Sequence, residues 1–147
     1  MFNASLLGDH VLSRPHTPFR LVAFGVSLHD LTSLNSTLDY RRTATLHLLP
    51  SLRRRLQDAR QVTFFGPWAA REDIKPRWVI NKSNNVRGIA FEEEASRLLP
   101  LQGFERFVPM TSVTLPRPDL SPDSTHYSWV VTLAMLDIWF TTACLET

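Results

Sequence analysis

The sequence predicts a three-layer α/β domain on a parallel sheet, and three observations carry that expectation. Short apolar runs recur at residues 19–26, 61–68 and 104–114. Each is followed by a stretch with helical apolar spacing. Turn-rich segments separate them at 27–38, 66–84 and 115–125. Strands that alternate with helices favour a parallel sheet with helices on its faces, and function then gathers on the loops at the carboxyl ends of the strands.

Each element has its own signal. Residues 19–26, FRLVAFGV, are a continuous apolar run with one glycine, as in a strand buried on both faces. Thr37 or Asp39 is placed to cap the helix that follows, in which Leu49, Leu52 and Leu56 recur at helical spacing. Pro50 predicts a kink or a restart there. Residues 61–68, QVTFFGPW, read as a second strand stopped by Gly66 and Pro67. A helix is expected over 85–99, with Gly103 as its stop. Residues 104–114 are a third strand candidate. The proline-rich loop 115–125 then leads into a long apolar helix over 126–145. Residues 1–18 read as an irregular leader, and 19–147 as one domain.

Composition excludes several classes. The 147 residues are 44% hydrophobic and 20% charged, which suits one globular domain with a core and argues against wholesale disorder. The formal net charge is only +2, and the single basic run, Arg53–Arg54–Arg55, reads as a solvated helix face. No nucleic-acid partner is expected. A lone cysteine, Cys144, permits no internal disulfide. The histidines, His10, His16, His29, His47 and His126, show no paired ligand spacing, so no metal is expected. The few glycines form no phosphate loop, and no cofactor is expected. The final helix is apolar nearly all round, but it carries Asp137 and is short for a bilayer. Burial against the sheet is the expectation there, with membrane anchoring the lesser alternative. Sequons at Asn3, Asn35 and Asn81 hint at a secretory or Golgi route. Residues 1–18 lack the apolar core of a signal peptide, so that route would require a missing N-terminal region. Oligomeric state is open.

The chemistry-bearing motif is Asp123-Ser-Thr-His126. A carboxylate three residues before a histidine can fold back and accept the Nδ1 hydrogen. That fixes the tautomer and leaves Nε2 free to take a proton from a nucleophile. The competing expectation is structural: Asp123 or Ser124 caps the last helix, and His126 lies in its first turn.

The segment LSPDSTHYS, after the third strand and before the closing helix, resembles the last block of the SGNH and GDSL hydrolases. In that family an Asp-x-x-His motif in this place supplies the acid and base of the catalytic triad. The segment LVAFGVSLHDL, residues 21–31, resembles the third block, in the Gly-Leu-His-Asp form of the PC-esterase-like branch. The resemblance covers about residues 19–145. It implies a flavodoxin-like SGNH-type parallel sheet, incomplete at its N-terminus. It implies ester hydrolysis or O-acyl transfer on acyl esters such as O-acylated glycans, with His126 as base and Asp123 as its orienter.

The departures are specific. Ser27 stands where the branch has glycine, and no asparagine serves as oxyanion donor. His29 or the backbone around Ser27 would have to serve instead. No Gly-Asp-Ser nucleophile strand precedes residue 19. Gly8-Asp9-His10 lies too close to Phe19 to be one, and neither Ser13 nor Ser27 sits on a nucleophile turn. A non-catalytic remnant or binding module that keeps the fold is therefore the alternative expectation.

Overall fold

The computed structural model describes residues 21–25, 36–43, 46, 48–57, 59, 61–81, 84–124 and 126–144. Among them lies a mixed α/β fold on a three-stranded parallel sheet, β1 (Leu21–Gly25), β2 (Gln61–Phe65) and β3 (Arg106–Val108), in the order β1-β2-β3. The register pairs Val22 with Val62 and Phe24 with Phe64, and then Phe64 with Phe107.

The helices are α1 (Thr37–Thr43), α2 (Leu49–Arg55), α3 (Arg77–Ile80), α4 (Asn85–Leu101), α5 (Met110–Thr114) and α6 (Trp129–Cys144). Successive strands are added in one direction, and parallel crossovers are right-handed. Both crossovers therefore fall on the same face of the sheet. That face carries Val22, Phe24, Val62, Phe64 and Phe107. It packs on Tyr40 of α1, Leu49 and Leu52 of α2, and Phe91, Ala95 and Leu98 of α4. Phe64 is the hub, stacked on Phe24 at 5.6 Å and edge-on to Phe104 at 5.0 Å.

Local chemistry sets the element ends, sometimes against expectation. α1 is opened by Ser36, whose hydroxyl accepts the Asp39 amide at 3.1 Å, and not by Thr37 or Asp39. An N-cap oxygen serves the amide two or three positions on, and Ser36 stands three before Asp39. α2 takes Pro50 in its first turn, where a missing N–H costs nothing, so the proline neither kinks nor breaks the helix, which begins at Leu49. Asn84 caps α4 by accepting the Arg87 amide at 2.9 Å. At the other end, Phe104 donates to the Leu99 carbonyl and Gly103 to that of Pro100, both at 3.0 Å. Gly103 is left-handed, φ 77°, which completes a Schellman stop.

The third strand is shorter than the sequence suggested. Pro109 ends it, and residues 110–114 are helical. The cause is Glu92 of α4. Its carboxylate accepts the Thr111 amide at 2.5 Å, the Ser112 amide at 3.1 Å and the Ser112 hydroxyl at 2.8 Å. Those amides are the orphan donors of a helical first turn, so satisfying them favours helix over strand.

The final helix is also displaced. It begins at Trp129, not His126, and none of its residues from 129 to 141 is buried. One flank, with Met135, Leu136 and Trp139, lies over the second face of the sheet. The other leaves Trp129, Val130, Leu133 and Phe140 exposed, together with Asp137. An apolar helix expected to be buried is thus only half covered. No helix among the described residues is long and apolar enough to cross a membrane.

Two predictions follow from this packing. A Cβ at Gly88 in α4 would lie 2.6 Å from Thr111 Oγ1 and 3.0 Å from its Cγ2. Thr111 is fully buried and its hydroxyl donates to the Pro67 carbonyl at 2.7 Å, so it has nowhere to go. The helix propensity gained by alanine is about 1 kcal/mol, against about 1–3 kcal/mol for overpacking. Gly88→Ala should therefore destabilise by about 1–2 kcal/mol in urea unfolding, whereas an exposed helical glycine would gain. The second concerns acid. Arg41 pairs with Glu94, with Nη2 to Oε2 at 2.9 Å and a second bond from Nε to Oε1, and this holds the Glu94 carboxyl below its ordinary value. A depressed folded value means stability that is present above the unfolded value of about 4.3 and lost as pH falls through the folded one. Glu92 has the opposite sign. Burial outweighs its hydrogen bonds and raises it, so its contribution falls as pH rises through the raised value. Stability profiles between about pH 3 and 7 should show the acid loss reduced in Glu94→Gln. A profile identical to the parent would mean that the ion pair does not couple to folding.

Candidate active site

The Asp123–His126 turn sits at the carboxyl end of the sheet, held by the segments that leave β2 and β3. After β2, Gly66 donates to the Val108 carbonyl at 2.9 Å, and the Ala69 amide donates to Thr114 Oγ1 at 2.9 Å. The Ala70 amide and carbonyl are both taken by the Asn85 side chain, at 2.5 and 2.9 Å. Arg71 then donates its amide to the Ser124 carbonyl at 3.3 Å. From the other side, the Tyr127 hydroxyl donates to the Thr114 carbonyl at 3.2 Å. The Tyr127 ring stacks on Trp68 at 5.3 Å.

Within the turn, Asp123 makes two bonds to one residue. Oδ1 accepts the His126 amide and Oδ2 meets His126 Nδ1, both at 2.7 Å. The Ser121 hydroxyl donates to the His126 carbonyl at 3.0 Å. Ser124 is the single non-glycine residue with positive φ among the described residues, at 73°. That left-handed step costs roughly 1 kcal/mol for serine and folds the carboxylate back onto the histidine. Asp123 therefore fills the orienting role and one that is structural but not the expected one. It closes the turn through the backbone and orients the ring, but it does not cap α6.

Two consequences follow for chemistry. With Nδ1 held by the carboxylate, the neutral ring carries its proton there, and Nε2 is the basic nitrogen. The His126 side chain is 74% exposed and that of Asp123 54% exposed, so the pair contributes little to stability. Among the described residues no hydroxyl hydrogen-bonds Nε2. The expected oxyanion contributors, His29 and Ser27, lie outside the described residues, as do Ser13 and the Gly8-Asp9-His10 segment. The structure thus brings together Asp123 and His126 and leaves the other expected site residues undescribed.

Two neighbours escaped the sequence reading. Lys75, 8% exposed, lies near the dyad. Burial pulls its ammonium below the usual lysine range, against the opposing pull of Glu72 and Asp123. Nothing in the local sequence marks it, because its burial comes from tertiary packing. The Trp68–Tyr127 stack is the other. The two rings stand 59 positions apart in the sequence, and only the fold brings them together. Among the described residues, no cluster of His, Cys, Asp and Glu could hold a metal.

Comparison with known proteins adds no relative: no family model, no curated protein and no solved structure matches the chain.

The tautomer is directly measurable. At a pH where the ring is neutral, nitrogen-15 shifts of His126 should report a protonated Nδ1. Asp123→Ala should move the ring toward the Nε2-protonated form that free histidine prefers. The same substitution should lower stability by about 1 kcal/mol or less, as expected of an exposed pair. An unchanged tautomer in that variant would show that the carboxylate does not orient the ring.

Proposed function

We propose that this chain carries the base and its orienter for ester hydrolysis or acyl transfer, on a flavodoxin-like SGNH-type sheet. The observation that carries the reading is the Asp123 carboxylate on His126 Nδ1, in a turn at the carboxyl end of a parallel sheet. Its parts fit the chemistry in order. Nε2 removes the proton from an attacking hydroxyl and later returns it to the leaving group. Asp123 holds the ring and stabilises the imidazolium formed in between. The substrate class is an acyl ester, with O-acylated glycans as the favoured group from the sequence resemblance. Trp68 and Tyr127 offer an aromatic platform beside the dyad on which a sugar ring or an acyl group can lie.

The hydroxyl nucleophile and the oxyanion donors belong to segments beyond the described residues. A second reading has its own support. With no hydroxyl on Nε2 among the described residues, the same fold serves as a binding module without turnover.

The two readings separate in a p-nitrophenyl ester assay. The 147-residue chain and its His126→Ala variant should show equal background, because base and orienter alone cannot form an acyl-enzyme. With a Gly-Asp-Ser strand joined ahead of Met1, turnover should appear and fall by several orders of magnitude in His126→Ala. Turnover that ignores His126 in both formats would reject the esterase reading and leave the binding module. Robust His126-dependent turnover by the chain as it stands would place the nucleophile at Ser13 or Ser27.

A further inference from the structure

The loop between β2 and α4 carries a motif in which the dyad has no part, Asn81-Lys82-Ser83. Of the three sequons, at Asn3, Asn35 and Asn81, only this one has its asparagine among the described residues. An acceptor asparagine needs a hydroxyl residue two positions on, no proline between them, and a place at the surface. Ser83 and Lys82 meet the first two needs. The structure meets the third.

Asn81 is exposed, on the turn that leaves α3. Its backbone amide donates to the Arg77 carbonyl at 3.1 Å, which closes that short helix. Its carboxamide has no hydrogen-bond partner among the described residues. The two neighbouring asparagines are the contrast. Asn84 accepts the Arg87 amide through its side-chain oxygen and donates Nδ2 to the Ile80 carbonyl at 2.8 Å. Asn85 holds both backbone groups of Ala70. Neither of them has a serine or threonine two positions on. In this loop, then, the asparagines with structural work lack the sequon, and the asparagine with the sequon has no structural work for its side chain. A group attached at Asn81 Nδ2 breaks no bond among the described residues.

We propose that Asn81 is an N-glycan acceptor, which takes an oligosaccharide from a lipid-pyrophosphate donor in the lumen of the secretory pathway. The bond from the anomeric carbon of the first sugar to the pyrophosphate oxygen breaks, and the lipid pyrophosphate leaves with the electron pair. The bond from that carbon to Asn81 Nδ2 forms, and the carboxamide gives up one proton to a base of the transferase. The assignment holds whether or not the Asp123–His126 dyad turns over a substrate.

The test uses the purified folded chain, a purified oligosaccharyltransferase and a synthetic lipid-pyrophosphate-linked oligosaccharide. Chymotryptic cleavage after Trp78 and Phe91 yields one peptide with Asn81, Asn84 and Asn85, and fragmentation reads the occupancy of each. Asn81 should gain the oligosaccharide, and Asn84 and Asn85 should not. Asn81→Gln should abolish the gain and leave Tm unchanged, as expected of an exposed side chain without a partner. Ser83→Ala should lower occupancy by about tenfold or more, and Ser83→Thr should restore it. A synthetic peptide of residues 79–91 shows whether the transferase accepts the bare sequon. Glycan on the peptide and none on the folded chain would overturn the proposal, because the fold would then withhold the acceptor. Glycan on neither would overturn it too, as would occupancy indifferent to Ser83→Ala.

Discussion

Glu92 is the constraint on which the functional end of this fold depends. A carboxylate that is 4% exposed is costly, and burial does push its proton affinity up. It is tolerated because three donors converge on it, from the amides of Thr111 and Ser112 and the hydroxyl of Ser112. Those bonds fasten α4 to the start of α5. They also stop β3 at Val108. Gly66, at the end of β2, must lack a side chain, because a Cβ there would lie 2.6 Å from Glu92 Oε1. One buried charge thus fixes how the chain leaves two of the three strands, and the loops that leave strands are where a parallel sheet builds sites.

The sheet itself is unequal in its two faces. Both crossovers lie on one side, and the aromatic core built around Phe64 and Phe91 is there. The opposite face receives only α6 among the described helices, and α6 is apolar on both its flanks. Its outer residues Trp129, Leu133 and Phe140 stand exposed. Trp129 is 72% exposed. A large aromatic left in water on a helix of this composition marks an incompletely covered face.

Much of this was legible in the sequence, for identifiable reasons. The three strands lie within the three apolar runs because a buried parallel strand needs apolar residues on consecutive positions, and few other elements do. The α4 boundaries were readable because asparagine before the helix and Gly103 after it act through the backbone. The fate of residues 109–114 was not readable. MTSVT has strand-like composition, with β-branched Thr111, Val113 and Thr114. Only the carboxylate of Glu92, 19 residues upstream, turns it into a helix. The burial of α6 was misread for a related cause: apolar content says that a helix can be covered, not that anything covers it. At the site, the Asp123–His126 contact was accessible because it is local, three residues apart. Lys75 and the Trp68–Tyr127 stack were inaccessible because they depend on how distant loops dock.

That locality also shows what the dyad can and cannot rely on. Its two 2.7 Å bonds are made within one turn, between side chains that are mostly in solvent, so neither the core nor the ion pair itself fixes its place in the molecule. The fixing is done one residue further on. Tyr127 is held by the Thr114 carbonyl at the end of α5 and by the face of Trp68 after β2, and the Thr114 hydroxyl in turn receives the Ala69 amide. α5 exists where it does because Glu92 satisfies its first-turn amides. The path from a buried carboxylate to an exposed imidazole therefore runs from Glu92 to the Thr111 amide, along α5 to the Thr114 carbonyl, across to the Tyr127 hydroxyl and through the chain to His126. A local motif supplies the tautomer, and a non-local packing constraint supplies the position. Chemistry at Nε2 requires both.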